Sequence, residues 1–118
     1  MTKKMTVSLI RGSLPSYFPE VHGVWKAAEA ALEALCDAED VRLHVAPGVP
    51  MNEQDTRSAL DACRAEGADF ILLLHGGFTM GDVARTIAAA PVRAGFWSVP
   101  EPRRTGDIQL DNFVSFNM

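Results

Sequence analysis

Residues 72–82 read LLLHGGFTMGD, and the way this stretch divides decides the fold. An aliphatic run opening at Phe70 stops at His75, two glycines follow, and a helical pattern begins near Thr79. Residues 70–74 (FILLL) are apolar on both faces, as a central parallel strand covered by helices on each side must be. Thr79 reads as a helix N-cap, with Asp82 three residues on, close to a capping box. The apolar face of that helix is Met80, Val83, Ala84, Ile87 and Ala88, and Pro91 ends it. Strand, glycine turn and helix in succession are half of a βαβ unit, so the flanking sequence should repeat the alternation.

It does so in both directions. Residues 5–10 (MTVSLI) read as a first strand closed by Arg11-Gly12. Residues 41–46 (VRLHVA) send Val41, Leu43 and Val45 to one face, as a strand near a sheet edge would. Residues 92–97 (VRAGFW) form the fourth. Between the first two, Val21, Val24, Trp25, Ala28, Leu32 and Leu35 recur at helical steps, with Glu20, Glu29 and Glu33 off the stripe. A further helix starts at the N-cap Asn52, with Asp55 favouring its positive end, and stops at Gly67. The pattern predicts an α/β, flavodoxin-like (Rossmann-like) three-layer sandwich with a mostly parallel four- or five-stranded sheet of order 2-1-3-4. At 118 residues the chain is one domain, 1–118.

Beyond Pro100 the pattern changes. PEPRRTGD is a proline-bracketed turn, and residues 106–118 are an apolar tail. Within it Ile108, Leu110, Val114, Phe116 and Met118 alternate at even positions, with Asn112 breaking the series and Phe113 on the other face. This tail is expected either to add a fifth strand or to pack against a further domain or subunit; exposed apolar residues at that density favour a homo-oligomer.

Composition narrows the partners. Net charge is −4 and no basic cluster exceeds Arg103-Arg104, which argues against nucleic acid. No segment reaches the ~20 apolar residues of a bilayer span, and the short apolar run after Lys3-Lys4 is broken by Arg11. A cytoplasmic protein is expected. The two cysteines, Cys36 and Cys63, fit no metal or redox spacing and read as free thiols in helices.

In an open parallel sheet, ligands gather at the carboxyl ends of the strands. That rule selects residues 11–17, 75–79 and 97–104. His75-Gly76-Gly77 is either a cradle whose bare backbone and helix-start amides face a polar group, or a tight turn needing positive φ. An oxyanion hole lacks its G-x-S-x-G elbow, and a Walker A loop lacks its G-K-S/T. Glu101 stands between two prolines that stiffen its loop, and Trp97 precedes it, as core or as a ligand platform. Arg11 is the best-placed cation for a substrate oxygen, and alternatively a partner for a nearby carboxylate. His22 and His44 read as structural, and the three histidines show no metal-ligand spacing.

Taken together, HGGFTMGD after the third strand, FWSVPEP after the fourth and GDIQLDNF downstream resemble the amino-terminal region of the L-fucose/L-arabinose isomerase-like family. The resemblance covers the second half of the chain and, through the βα pattern, the first half more loosely. It implies an aldose–ketose isomerase setting, in which a divalent metal such as Mn²⁺ helps move hydrogen between C1 and C2. The metal ligands of such enzymes lie in later domains, so no cofactor is expected in this chain. The amino-terminal domain is implied to contribute substrate-pocket residues and oligomer contacts; here those are Arg11, His75, Gly76, Gly77, Trp97 and Glu101. Leu110-Asp111-Asn112-Phe113 departs from the family's asparagine followed by a small residue. The chain is thus expected to be an isolated amino-terminal domain or a short relative, without isomerase activity alone. The rival reading is a free-standing flavodoxin-like module for a phosphate-bearing ligand or nucleotide, with Ser13 and Ser16 as a thin phosphate cradle. A third is a structural oligomerisation domain.

Overall fold

The computed structural model of the protein describes residues 4–12, 23–75, 79 and 81–98. Four strands alternate with three helices: β1 (Thr6–Gly12), α1 (Val24–Ala38), β2 (Arg42–Val45), α2 (Glu53–Ala65), β3 (Phe70–His75), α3 (Gly81–Ala89) and β4 (Arg93–Ser98). All strand pairs are parallel and the order is β2-β1-β3-β4, as expected. The reversal of strand order falls between β1 and β3, which leaves a crevice at their carboxyl ends. A fifth strand or tail contact would involve residues 99–118, which lie outside the described residues.

Alternation along the strands builds two cores. Leu9 and Leu74 pack with Ala28, Leu32 and Cys36 of α1 on one face of the sheet. On the other, Ile10, Ile71 and Leu73 pack with Ala59 and Cys63 of α2 and Val83 and Ile87 of α3. This is the three-layer arrangement that apolar residues on both faces of β3 demanded. The α1 stripe differs from the periodic reading at its end: Cys36 is buried, whereas Leu35 is 58% exposed. Ala28, Leu32 and Cys36 follow one another at steps of four, and Leu35 stands about 100° round the helix from Cys36.

The helix ends follow local chemistry. Asn52 Oδ1 accepts from the Asp55 amide at 2.8 Å, satisfying a first-turn donor of α2. Gly67, at φ +73°, takes the left-handed conformation that follows the last turn. Thr79 departs from its expected role. α3 begins at Gly81, and Thr79 Oγ1 has no hydrogen-bond partner among the described residues, so it is not the cap. Its side chain turns toward β1 instead: a Cβ built on Gly12 would lie 2.6 Å from Thr79 Oγ1.

At the amino end of the sheet, polar groups are paired. Asp69 Oδ2 accepts from the Thr6 amide at 2.9 Å. The Arg42 guanidinium reaches Thr6 Oγ1 at 3.3 Å and Glu66 Oε2 at 3.0 Å. On the β2 side, Ser8 Oγ and His44 Nδ1 share a 2.9 Å hydrogen bond, which is the structural role expected of His44.

Candidate functional site

The register carries the carboxyl end of the sheet. Arg11, Leu74 and Trp97 form one rung across β1, β3 and β4, and Gly12, His75 and Ser98 form the next. Arg11, His75 and Trp97 therefore stand at the same end, where ligands bind in such sheets. They do not converge on one point. Side chains alternate along a strand, so Arg11 and Trp97 project to the α1 face and His75 to the α2/α3 face. Leu74, fully buried, stands between Arg11 and Trp97, and Trp97 packs half-buried against the apolar cluster beneath α1. Gly76, Gly77 and Glu101 lie outside the described residues, as does His22.

What Arg11 meets was not legible as a pair from sequence. Its guanidinium lies over the Trp25 ring, 5.4 Å from the centroid, and 3.7 Å from Glu29 Oε1. A cation so placed gains from the ring quadrupole and from the carboxylate together. These side chains line a concavity of about 530 Å³ beside the first half of α1, with Lys26 and Glu33 at its rim. The signal was present in two parts. Trp25 and Glu29 are four residues apart, hence on one helix face. In a βα unit the start of the helix lies beside the end of the strand that precedes it, which is where Arg11 sits.

Four buried side-chain polar atoms lack a hydrogen-bond partner among the described residues: Arg11 Nε, Trp25 Nε1, Glu29 Oε1 and Thr79 Oγ1. All four belong to the carboxyl end of the sheet. Leaving such a group unsatisfied costs about 1–3 kcal/mol, and all four stand at the end of the sheet opposite the paired amino end.

His75 adds a titrating group. Burial holds its imidazole below the ordinary value of 6.5, favouring the neutral ring. Above 6.5 the ring is neutral in both folded and unfolded chains and contributes nothing to pH dependence. As pH falls through 6.5 the unfolded chain takes up the proton first, so stability declines toward the lower folded-state pKa. Urea midpoints at about pH 7.5 and about pH 5.5 should show this loss in the wild type and a smaller one in His75→Gln; equal losses would dismiss it.

Cys36 lies in α1 and Cys63 in α2. Both are free and buried, and burial pushes both thiols up, away from the reactive thiolate. Among the described residues no group of three or more His, Cys, Asp or Glu is arranged to hold a metal, and no helix is long and apolar enough to cross a membrane. Comparison with protein-family models, curated proteins and solved structures returned no significant match for this chain.

Proposed function

We propose that the chain is the amino-terminal, substrate-contacting domain of an aldose–ketose isomerase-like protein of the cytoplasm. On this reading it supplies pocket residues and oligomer contacts, and the metal site belongs to other parts of the assembly. The observation that supports the binding role is the presence of unpartnered buried polar atoms at the carboxyl end of the sheet, on Arg11, Trp25 and Glu29 at the α1 face and on Thr79 beside Gly12 at the other. The sugar assignment draws on the HGGFTMGD, FWSVPEP and GDIQLDNF motifs, and association through residues 108–118 belongs to the same reading.

Titration with millimolar L-arabinose and L-fucose, followed by amide and indole NMR shifts, tests it. Shifts centred on Arg11, Trp25 and Glu29, and abolished in Arg11→Met, are expected. Silence toward both sugars, with a response to inorganic phosphate or flavin mononucleotide, would transfer the site to the phosphate-ligand reading. Silence toward all of them would leave only the oligomerisation domain. Metal-dependent aldose turnover by the chain alone would contradict the assignment of the metal site elsewhere.

A further inference from the structure

A cleft of about 170 Å³ opens between the last turns of α2 and the approach to β4. Ala68 and Ile71 stand at the start of β3 and Val92 just before β4, so the cleft lies at the amino end of the sheet, away from Arg11 and His75. Its walls are Leu60, Ala68, Ile71, Pro91 and Val92, and Arg64 is the one charged residue among them. Leu60, Ala68 and Val92 are only partly buried against the core of this face, and Ile71 is the deepest at 2% exposed. An apolar cavity of roughly 150 Å³ takes up benzene, so one ring or a short branched chain matches this space.

Arg64 supplies the polar end. The neighbouring cations are engaged: Arg57 by Glu53 at 2.6 Å, Arg85 by Asp82, and Arg42 by Glu66 at 3.0 Å. Arg64 is exposed, and its side chain has no ion pair or hydrogen bond among the described residues. It also lines the wider concavity of about 510 Å³ between α2 and α3, so it borders the place where the two spaces join. Standing in the last turn of α2, it offsets the negative end of that helix, a role that needs a charge but not a cleft. A guanidinium with free N–H groups takes a carboxylate in two parallel hydrogen bonds. A second negative charge on the ligand would meet Asp61, which lines the wider concavity, so a single carboxylate fits better than a phosphate or a diacid.

We propose that this cleft binds a small apolar monocarboxylate, with its ring or branched chain against Leu60, Ile71 and Val92 and its carboxylate on Arg64.

Benzoate and benzamide are alike in shape and differ in charge. Each is titrated to millimolar concentration into the full chain and into Arg64→Met, with the methyl NMR signals of Leu60, Ile71 and Val92 as reporters. Benzoate should move these signals and leave those of Leu9 and Leu74, on the other face of the sheet, in place. It should bind about fivefold more tightly than benzamide, the upper scale of an ion pair with an exposed partner. Arg64→Met should bring the two ligands level; because Arg64 is exposed, the variant should keep the wild-type amide spectrum. Reporter methyls that stay still at millimolar benzoate, or a benzoate preference that survives in Arg64→Met, would overturn the proposal.

Discussion

Replacing Leu74 with alanine should lower the unfolding free energy by about 2–5 kcal/mol, the range for a large-to-small change in a closed core. Leu74 has no exposed surface and packs with Leu9, Ala28, Leu32 and Cys36 beneath α1. It lies on the inner strand β3, with β1 and β4 on either side, so little can collapse into the space it vacates. For a chain of this size each kcal/mol moves the melting temperature by about 4 °C, giving a drop of roughly 8–20 °C. Leu74→Met, which conserves volume, should cost less than about 1.5 kcal/mol. A loss below about 1 kcal/mol for the alanine variant, read from urea unfolding, would mean that α1 does not close over this rung.

The second large effect is expected at Gly12. Here alanine would place its Cβ 2.6 Å from Thr79 Oγ1, 3.0 Å from Thr79 Cγ2 and 3.2 Å from Leu73 Cδ1. Two opposing effects decide the sign. Removing a glycine restricts the unfolded chain, which stabilises by about 0.4–1 kcal/mol. Overpacking against a short β-branched neighbour costs about 1–3 kcal/mol, so the collision outweighs the gain. Gly12→Ala should therefore destabilise. In a Thr79→Ala background the two nearest atoms are gone, and the same change should become neutral or stabilising. Thr79→Ala itself should cost little, since its hydroxyl satisfies no partner among the described residues. If the double-mutant cycle shows no coupling, Gly12 and Thr79 do not touch.

The fold was legible because its determinants are local and periodic. FILLL at residues 70–74 is apolar at every position, as a strand covered on both faces is. Asn52 and Gly67 bracket α2 through hydrogen-bonding and φ preferences that need no tertiary context. Leu35 and Thr79 depart from their periodic roles for a common reason. Which of two neighbouring apolar positions faces the sheet, and which way a loop threonine turns, are settled by packing across the interface rather than along the chain. The candidate site was half legible. Arg11, His75 and Trp97 could be placed at one end because strands end where their apolar runs end. Their division between two faces follows from register, and Glu29 had the look of a solvated helix charge until β1 brought Arg11 beside it.

The topology also has a consequence in time. Every strand pairing in this sheet is parallel, so none can form as a local hairpin and each waits for a crossover helix. The hydrogen bond between the Thr6 amide and Asp69 Oδ2 joins residues 63 positions apart. During synthesis β1 emerges first, yet its inner partner β3 is complete only when His75 has left the ribosome. Until then Leu9 and Ile10 have only β2, α1 and α2 to shelter them. Nucleation is therefore a late, long-range event, and such topologies fold more slowly than those built from neighbouring contacts. The newborn chain passes through an interval in which β1 is finished and still lacks its inner partner, the interval in which chaperones have most to offer it.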